Sequence, residues 1–293
     1  MTDTVRAKVI ALYDRFTHEG MDRRAFMAEL TGIAGSAAAA NALLLGIAAN
    51  PAAAAVVQPN DPRLQTRDLQ WELIPGRKMS GYGAAPVNAA ANLATVIVIH
   101  ENRGLNDHIR DVARRVALAG FSAVAPDFLS PVGGTPADEN QARDMIGKLD
   151  LAATVADGRA FIDWLSSTAG GSRKVGAVGF CWGGGMVNRL AVAAGPSLKA
   201  GVPFYGPAPA PAEAPQVQAA MLVQLAGNDQ RVNATALPWI EALKAAGKRV
   251  TSHVYPGVEH AFHNDTSVER YDAAAAKLAW DRTIDFFKLN LGA

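Results

Sequence analysis

The sequence predicts an α/β domain with a mostly parallel central sheet that is covered by helices on both faces. Short β-branched runs, clearest in TVIVIH at residues 95–100, alternate with segments whose apolar residues fall in helical register. A glycine-rich stretch, GFCWGGG from Gly179, follows another apolar run and opens a helix. Hydrophobic residues make up 49% of the 293 residues and charged residues 19%, which is typical of a well-packed globular chain.

The charge balance and cysteine content exclude several classes of function. Lys and Arg number 28 against 27 Asp and Glu, so the formal net charge of +1 does not favour binding to nucleic acid or anionic membranes. A single cysteine excludes an internal disulfide and a zinc site of the CxxC type. We therefore expect a small-molecule partner and neither a metal nor an organic cofactor. The composition leaves the oligomeric state open.

Residues 1–57 read as a leader that precedes a single domain over residues 58–293. The motif DRRAFM at residues 22–27 resembles a twin-arginine export signal, and residues 31–60 contain no Asp, Glu, Lys or Arg. Small residues at 53–55 would suit cleavage, which predicts a periplasmic mature protein that begins near Val56. The alternative is a retained helical extension on a cytoplasmic protein, since apolar residues in 1–20 have helical spacing. A membrane span is disfavoured, because alanine-rich sequence of this length is only marginally apolar.

The first half of the domain begins with extended segments and then alternates strand and helix. The alternation is typical of β-α-β units, in which parallel strands are joined by crossover helices. The predicted elements are an edge hairpin over residues 69–75 and 78–85 around Gly76, a strand over 95–100, a helix over 106–119, a strand over 121–125 and a helical region over 138–167 that breaks near Gly147.

The second half continues the same alternation from the glycine-rich stretch onward. Apolar runs mark the strands, and Gly247 marks the end of one helix. The predicted elements are a strand before Cys181 and a helix after it, a strand over 200–206, a Pro/Ala-rich loop over 207–215, a strand over 221–226, a helix over 236–246, a strand over 249–255 and a helix from about 268 to 289.

Polar residues follow the predicted strands at the points where these strands end. In parallel sheets of this class, ligands bind at the carboxyl ends of the strands. The sequence therefore predicts that the functional site lies at this edge. The residues concerned are Glu101, Asp127, Cys181, Tyr205, Asp229 and His260.

Cys181 is the candidate nucleophile. It stands in the pattern G-x-C-x-G between Gly179 and Gly183, which is typical of a sharp strand-to-helix turn that exposes one side chain. The start of a helix also favours a thiolate through its unpaired N–H groups. A lone cysteine is more often a small buried hydrophobic residue. The flanking glycines favour the nucleophile over that interpretation.

Asp229 and His260 are the candidate orienting acid and base. Each follows a predicted strand, in the order nucleophile, acid, histidine. Asp229 in GND could also be an ordinary turn residue. His263 and His253 compete with His260, which is favoured because it follows the PG turn at the end of a strand.

These motifs together resemble the dienelactone hydrolase family of α/β-hydrolases, from about residue 95 to the C-terminus. The similarity lies in GFCWGG, HENRGL, GND and EHAFH. It implies hydrolysis of an ester or lactone through a thioester, with a catalytic triad of Cys181, His260 and Asp229. It also implies that Glu101 contacts the resting thiol and that the backbone N–H groups of Trp182 and Asn102 form an oxyanion hole. The alternative for Glu101 is a salt bridge to Arg103 or Arg110.

The chain departs from this family in the residues that hold the substrate. Members that act on dienelactone place an arginine shortly after the catalytic histidine, whereas AFHN follows His260 here. Arg143 and Arg231 are the candidate replacements, Tyr205 is a further candidate for substrate binding, and a neutral ester or lactone is the favoured substrate. The competing functions are a non-catalytic exported binding protein and a thiol redox protein, and the absence of a second cysteine disfavours the latter.

Overall fold

The computed structural model describes residues 3–47, 55–90, 92–167 and 174–292. Three helices come first, and strands and helices then alternate. The helices of the described residues are α1 (Asp3–His18), α2 (Arg23–Ala34), α3 (Ala37–Ile47), α4 (Asp107–Leu118), α5 (Glu139–Ile146), α6 (Leu151–Ser167), α7 (Trp182–Ala193), α8 (Gln230–Ala245) and α9 (Ala273–Leu291). The strands are β1 (Leu64–Ile74), β2 (Arg77–Pro86), β3 (Thr95–Ile99), β4 (Ser122–Asp127), β5 (Val175–Phe180), β6 (Leu198–Phe204), β7 (Ala220–Ala226) and β8 (Val250–Tyr255).

The strands of the described residues form one eight-stranded sheet in the order β1-β2-β4-β3-β5-β6-β7-β8. The hairpin β1–β2 lies at one edge and pairs antiparallel with β4, whereas all other neighbouring pairs are parallel. The predicted α/β-hydrolase fold is therefore confirmed.

Alternate side chains of the central strands enter two apolar layers, one on each face of the sheet. On β3, Val96 and Val98 belong to the layer covered by α4 and α9, whereas Ile97 and Ile99 belong to the layer covered by α6, α7 and α8. All five residues of β3 are buried. Burial on both faces explains why this strand is apolar at consecutive positions.

Two helices begin at different residues from those predicted, because capping side chains set their starts. The carboxylate of Asp229 accepts a hydrogen bond from the N–H of Val232 at 3.0 Å, so α8 begins at Gln230, before residue 236. Asp272 caps α9 in the same way through Ala275 at 2.9 Å, so α9 begins at Ala273 and not near 268. The capping residue therefore sets the first residue of each helix, and this residue need not coincide with the start of the apolar pattern.

The three N-terminal helices have an apolar core of their own. Phe26 and Leu30 of α2 are buried against α1, and the rings of Phe16 and Phe26 stack at 4.3 Å between centroids. No single described helix is long and apolar enough to cross a membrane, although α2 with part of α3 passes the same test as a pair bent by 105°. Of the predicted cleavage site at 53–55, residues 53 and 54 lie outside the described residues.

Substituting Gly184 with alanine should destabilise the fold, because α7 packs directly on the backbone of the sheet. A Cβ atom at Gly184 would lie 2.5 Å from the carbonyl oxygen of Phe204, which cannot move without disturbing β6. We expect Gly184→Ala to lower the free energy of unfolding by roughly 1–3 kcal/mol in urea denaturation. Gly147→Ala is the control, since its Cβ would meet nothing closer than 3.6 Å. Equal midpoints for the two variants would contradict this account.

Candidate active site

The turn between β5 and α7 forces Cys181 into a strained backbone conformation. Its φ of 54° lies in a region that non-glycine residues rarely adopt. A Cβ at Gly179 would lie 2.2 Å from the carbonyl oxygen of Gly183, and a Cβ at Gly183 would lie 2.4 Å from that of Ile99. These contacts explain why glycine stands on both sides of the cysteine in the pattern.

The backbone holds the thiol at the carboxyl edge of the sheet. The N–H of Cys181 donates to the carbonyl oxygen of Phe204 at 3.0 Å, which ties the turn to β6. Trp182 is the first residue of α7, so its own N–H is one of those without an acceptor inside the helix. The thiol therefore lies at the positive end of a helix, where a thiolate is favoured.

His260 and Asp229 form a buried pair next to the thiol. Nδ1 of His260 lies 2.5 Å from Oδ2 of Asp229, and Nε2 of His260 is buried with no hydrogen-bond partner among the described residues. Burial lowers the pKa of His260, but the charges of Asp229 and Cys181 outweigh it and raise the pKa to about 10. For Asp229, burial raises the pKa, and the charge and hydrogen bond of His260 outweigh it and lower the pKa. The pair therefore favours an imidazolium held by a carboxylate.

The two competing histidines lie in other surroundings. The ring of His263 stacks on Phe180 with centroids 5.0 Å apart, and burial lowers the pKa of His263 to about 3, which keeps it neutral. His253 lies on β8, half-buried, with its ring 6.5 Å from that of Tyr255. Of the three, only His260 lines the cavity at Cys181 in the described part of the chain.

Glu101 lines the same cavity as Cys181. Its Oε2 accepts a hydrogen bond from Nδ2 of Asn264 at 2.7 Å, whereas Oε1 is buried without a partner among the described residues. The arginines that might have paired with Glu101 have other partners. Arg110 forms an ion pair with Asp68, and Arg103 donates to the hydroxyl of Tyr13 at 2.7 Å.

The loop that carries Glu101 and Asn102 is supported by His100, which the sequence did not single out as a site residue. Nε2 of His100 accepts from the N–H of Phe128, so Nδ1 carries the proton and donates to the carbonyl oxygen of Glu101 at 2.7 Å. Its ring also stacks on Trp182 at 5.2 Å between centroids. His100 thus connects Trp182 to the peptide group between Glu101 and Asn102, and the N–H groups of Trp182 and Asn102 are the two predicted to form the oxyanion hole.

Asp127 supports the same loop from the end of β4. Its carboxylate accepts hydrogen bonds from Thr135 and from the N–H of Leu129, and Thr135 in turn accepts from the N–H of Leu105. Asp127 therefore ties the loop after β4 to the loop after β3. The position of Asp127 at the end of a strand identified it as a candidate in the sequence, but did not predict that it connects these two loops.

The cavity at Cys181 is lined by two arginines that are not among the predicted substrate-binding residues. They are Arg103, in the loop after β3, and Arg270, in the turn before α9, and both are buried. Arg143, by contrast, lies over the ring of Phe16 at 4.3 Å, and Arg231 lines a separate cleft beside α1. Tyr205 is fully buried, with its ring 5.0 Å from that of His260. No short sequence motif marks Arg270, because its loop comes to the cavity through tertiary packing.

The first N-terminal helix, α1, covers this site, and α2 and α3 pack on α1. We call α1–α3 the lid. The last residue of α1, His18, places Nε2 at 3.9 Å from Sγ of Cys181, and its ring lies 5.0 Å from the ring of His260. Tyr13 and Thr17 of α1 also line the cavity. The space that remains is about 20 Å³, enough for little more than one water molecule.

One group of side chains here has the composition of a metal site. His18, Cys181 and His260 bring their ligand atoms within 4.8 Å of one another. Histidine and cysteine are the ligands that zinc prefers. The free Nε2 of His260 is equally what a base needs beside a thiol, so the acid–base arrangement accounts for the same atoms.

Comparisons with known proteins show the family to which the chain is similar. Residues 79–291 match the family described as "Dienelactone hydrolase family". A relative from Escherichia coli (strain K12), named "Putative carboxymethylenebutenolidase", is 33% identical over 261 residues, which covers 82% of this chain and 93% of the relative.

Solved structures show the same similarity. One of a "Putative Dienelactone Hydrolase" from Klebsiella pneumoniae subsp. pneumoniae MGH 78578 has a TM-score of 0.66 at 28% identity and covers 76% of this chain and 98% of that one. A dienelactone hydrolase from Anabaena variabilis ATCC 29413 has a TM-score of 0.62 at 21% identity, over 78% of this chain and 99% of that one, and supports the fold alone.

Replacing Asp229 with asparagine should shift the pH dependence of any hydrolysis that uses this site. Without the carboxylate, burial is opposed by the charge of Cys181 alone and the pKa of His260 falls, so the imidazolium is lost at lower pH. We expect the high-pH limb of kcat/KM for p-nitrophenyl acetate to move down by about one pH unit or more, and the maximal rate to fall about 100-fold.

Asparagine is chosen because it caps a helix as well as aspartate does, so α8 keeps its N-terminus. The matched control is Asp272→Asn, which makes the same change at the cap of α9 and should leave the pH profile unchanged. An Asp229→Asn profile that superposes on the wild type would show that His260 does not depend on this carboxylate.

Proposed function

This chain belongs to the dienelactone hydrolase family, and we propose that it hydrolyses ester or lactone bonds with Cys181 as the nucleophile. The observation that carries the proposal is the buried pair of His260 and Asp229, whose free Nε2 faces the strained thiol at the start of α7. A thiol, a base and an orienting acid are the set that nucleophilic acyl transfer requires.

The first half of the reaction transfers the acyl group to sulfur. The thiolate of Cys181 attacks the carbonyl carbon, and the negative charge moves to the carbonyl oxygen. The N–H groups of Trp182 and Asn102 then stabilise this oxyanion, and each such donor contributes about 3 kcal/mol in comparable sites. The imidazolium of His260 protonates the leaving oxygen as its bond to carbon breaks. A thioester and a neutral imidazole remain.

The second half releases the acid. Neutral His260 takes a proton from water, and the hydroxide attacks the thioester carbonyl. The second tetrahedral intermediate collapses with cleavage of the carbon–sulfur bond, which returns the thiolate and the imidazolium. Asp229 stabilises the imidazolium in both halves through its hydrogen bond to Nδ1. We propose that Glu101, whose carboxylate is held by a hydrogen bond from Asn264, contacts the thiol in the resting enzyme.

Arg103 and Arg270 change the substrate that we propose. The lack of an arginine directly after His260 favoured a neutral ester, but these two guanidinium groups line the cavity with Cys181. A planar guanidinium pairs well with a carboxylate. We therefore propose an ester or lactone that carries a carboxylate. Carboxymethylenebutenolide, the substrate in the name of the E. coli relative, has both features.

Export through the twin-arginine pathway is a further proposal, supported by the DRRAFM motif alone. Both arginines of the motif are exposed at the start of α2, where Asp22 caps the helix. The N-terminal residue of the protein recovered from its native host decides between export with cleavage and a retained extension.

Loss of the thiol should abolish hydrolysis. We expect Cys181→Ala to hydrolyse p-nitrophenyl acetate at the buffer rate, and wild-type protein quenched with acid during turnover to carry one acetyl group, detected by mass spectrometry of the Cys181 peptide. Cys181→Ser is the control, since it replaces the thiol with a hydroxyl in a side chain of similar shape beside His260. A wild-type rate in Cys181→Ala, with intact circular dichroism, would refute thiol catalysis.

Removal of the Arg270 charge should select against substrates that carry a carboxylate. We expect Arg270→Gln to reduce kcat/KM about tenfold for p-nitrophenyl hemisuccinate relative to p-nitrophenyl acetate, because a hydrogen bond to a charged group is lost. The ratio cancels any effect of Arg270 on the lid, which acts on both substrates alike. Arg231→Gln is the matched control, and an unchanged ratio in Arg270→Gln would favour a neutral substrate.

A further inference from the structure

The lid occupies the space that a substrate of the proposed reaction needs. With His18 at 3.9 Å from Sγ of Cys181 and a cavity of about 20 Å³, the site has no room for an ester or lactone while the lid is closed. Cys181 itself is buried. The residues matched by the family begin at 79, so the lid lies outside them.

The lid contacts the cleft through polar and charged groups that mimic a ligand. The hydroxyl of Tyr13 accepts a hydrogen bond from Arg103, and the carboxylate of Asp14 lies 3.9 Å from the guanidinium of Arg270. The carbonyl oxygen of Thr17 accepts from the side chain of Asn102 at 3.4 Å. The two guanidinium groups that we assign to a substrate carboxylate, those of Arg103 and Arg270, are thus in contact with α1.

Further pairs fasten the lid around the rim of the cleft. Arg6 forms an ion pair with Glu269, and the hydroxyl of Ser267 donates to the carbonyl oxygen of Ile47 at 2.8 Å. The ion pair is largely exposed and contributes little, whereas the hydrogen bond of Ser267 is buried. Opening of the lid would therefore require this hydrogen bond to be exchanged for one with water.

The apolar residues of the lid pack mainly on one another. Its cluster consists of residues from α1 to α3, and the two large clusters of the sheet contain none of these residues. Lifting the lid would therefore leave both layers of the sheet intact. A segment with its own core can leave as a unit, which lowers the cost of opening.

We propose that the lid inhibits the enzyme in cis, by docking its first helix into the active-site cleft and keeping Cys181 covered until the segment leaves. The inference rests on the proposed hydrolysis for its biological meaning, but closure of the cleft is independent of that reaction. His18 is the central contact, since its imidazole lies over both the thiol and the base. Its position at the end of α1 makes release of that helix sufficient to free the thiol.

The single cysteine of the chain allows closure to be measured without any substrate. Alkylation by iodoacetamide followed by mass spectrometry reports the access of reagent to Cys181 alone. We expect slow alkylation of the full-length wild type. In the full-length Leu30→Ala variant, which weakens the core of the lid at a residue that does not line the cleft cavity, we expect alkylation about 10–100-fold faster.

The matched control is Leu165→Ala, the same change at a buried residue of α6 in the core of the sheet. It should alter alkylation by less than about threefold in buffer, although it lowers overall stability as much. Tyr13→Phe is a second lid variant that keeps the packing and removes only the acceptor for Arg103, and we expect about a tenfold increase. It keeps the inference testable if Leu30→Ala does not fold.

The outcomes test inhibition by the lid separately from the proposed hydrolysis. Faster alkylation in both lid variants, together with a parallel rise in hydrolysis of p-nitrophenyl acetate, supports inhibition in cis. Faster alkylation with no hydrolysis in any variant would support the closed cleft and defeat the proposed function. If both lid variants are alkylated at the wild-type rate and hydrolysis still depends on Cys181, inhibition by the lid is refuted and the proposed function is unaffected.

Discussion

The site depends on the close approach of α7 to the ends of β3 and β6. The first turn of the helix lies against carbonyl oxygens of Ile99 and Phe204, and there is no room for a Cβ at Gly183 or Gly184. Only this approach brings the chain from a buried strand into a buried helix within a single residue. That residue is Cys181, and its positive φ is the strain that results.

The parallel strands then bring the remaining groups to the same edge, and several of these groups have two tasks. Asp229 caps α8 with one oxygen and orients His260 with the other. His100 accepts from one loop, donates to the next and stacks on Trp182. Because each support also fixes an element, the proposed catalytic groups are held by the fold itself and not by flexible side chains alone.

The buried arginines connect the chemistry of the cleft with the lid. Arg103 and Arg270 carry charges that need partners once water is removed. In the closed protein Tyr13 and Asp14 provide these partners, and a substrate carboxylate would provide them in the open one. The lid and the proposed substrate would therefore compete for the same two guanidinium groups.

The sequence alone determined the fold class, the succession of strands and helices, and the turn at Cys181, because these follow from short patterns of apolar residues and glycine. It also predicted a nucleophile, an acid and a base, Cys181, Asp229 and His260, in that order along the chain. Tertiary structure decided which groups meet: the packing of α1 on Cys181, the entry of Arg103 and Arg270 into the cavity, and the placement of Arg143 and Arg231 outside it. Such contacts join residues far apart in the chain, and no local pattern encodes the distance between them.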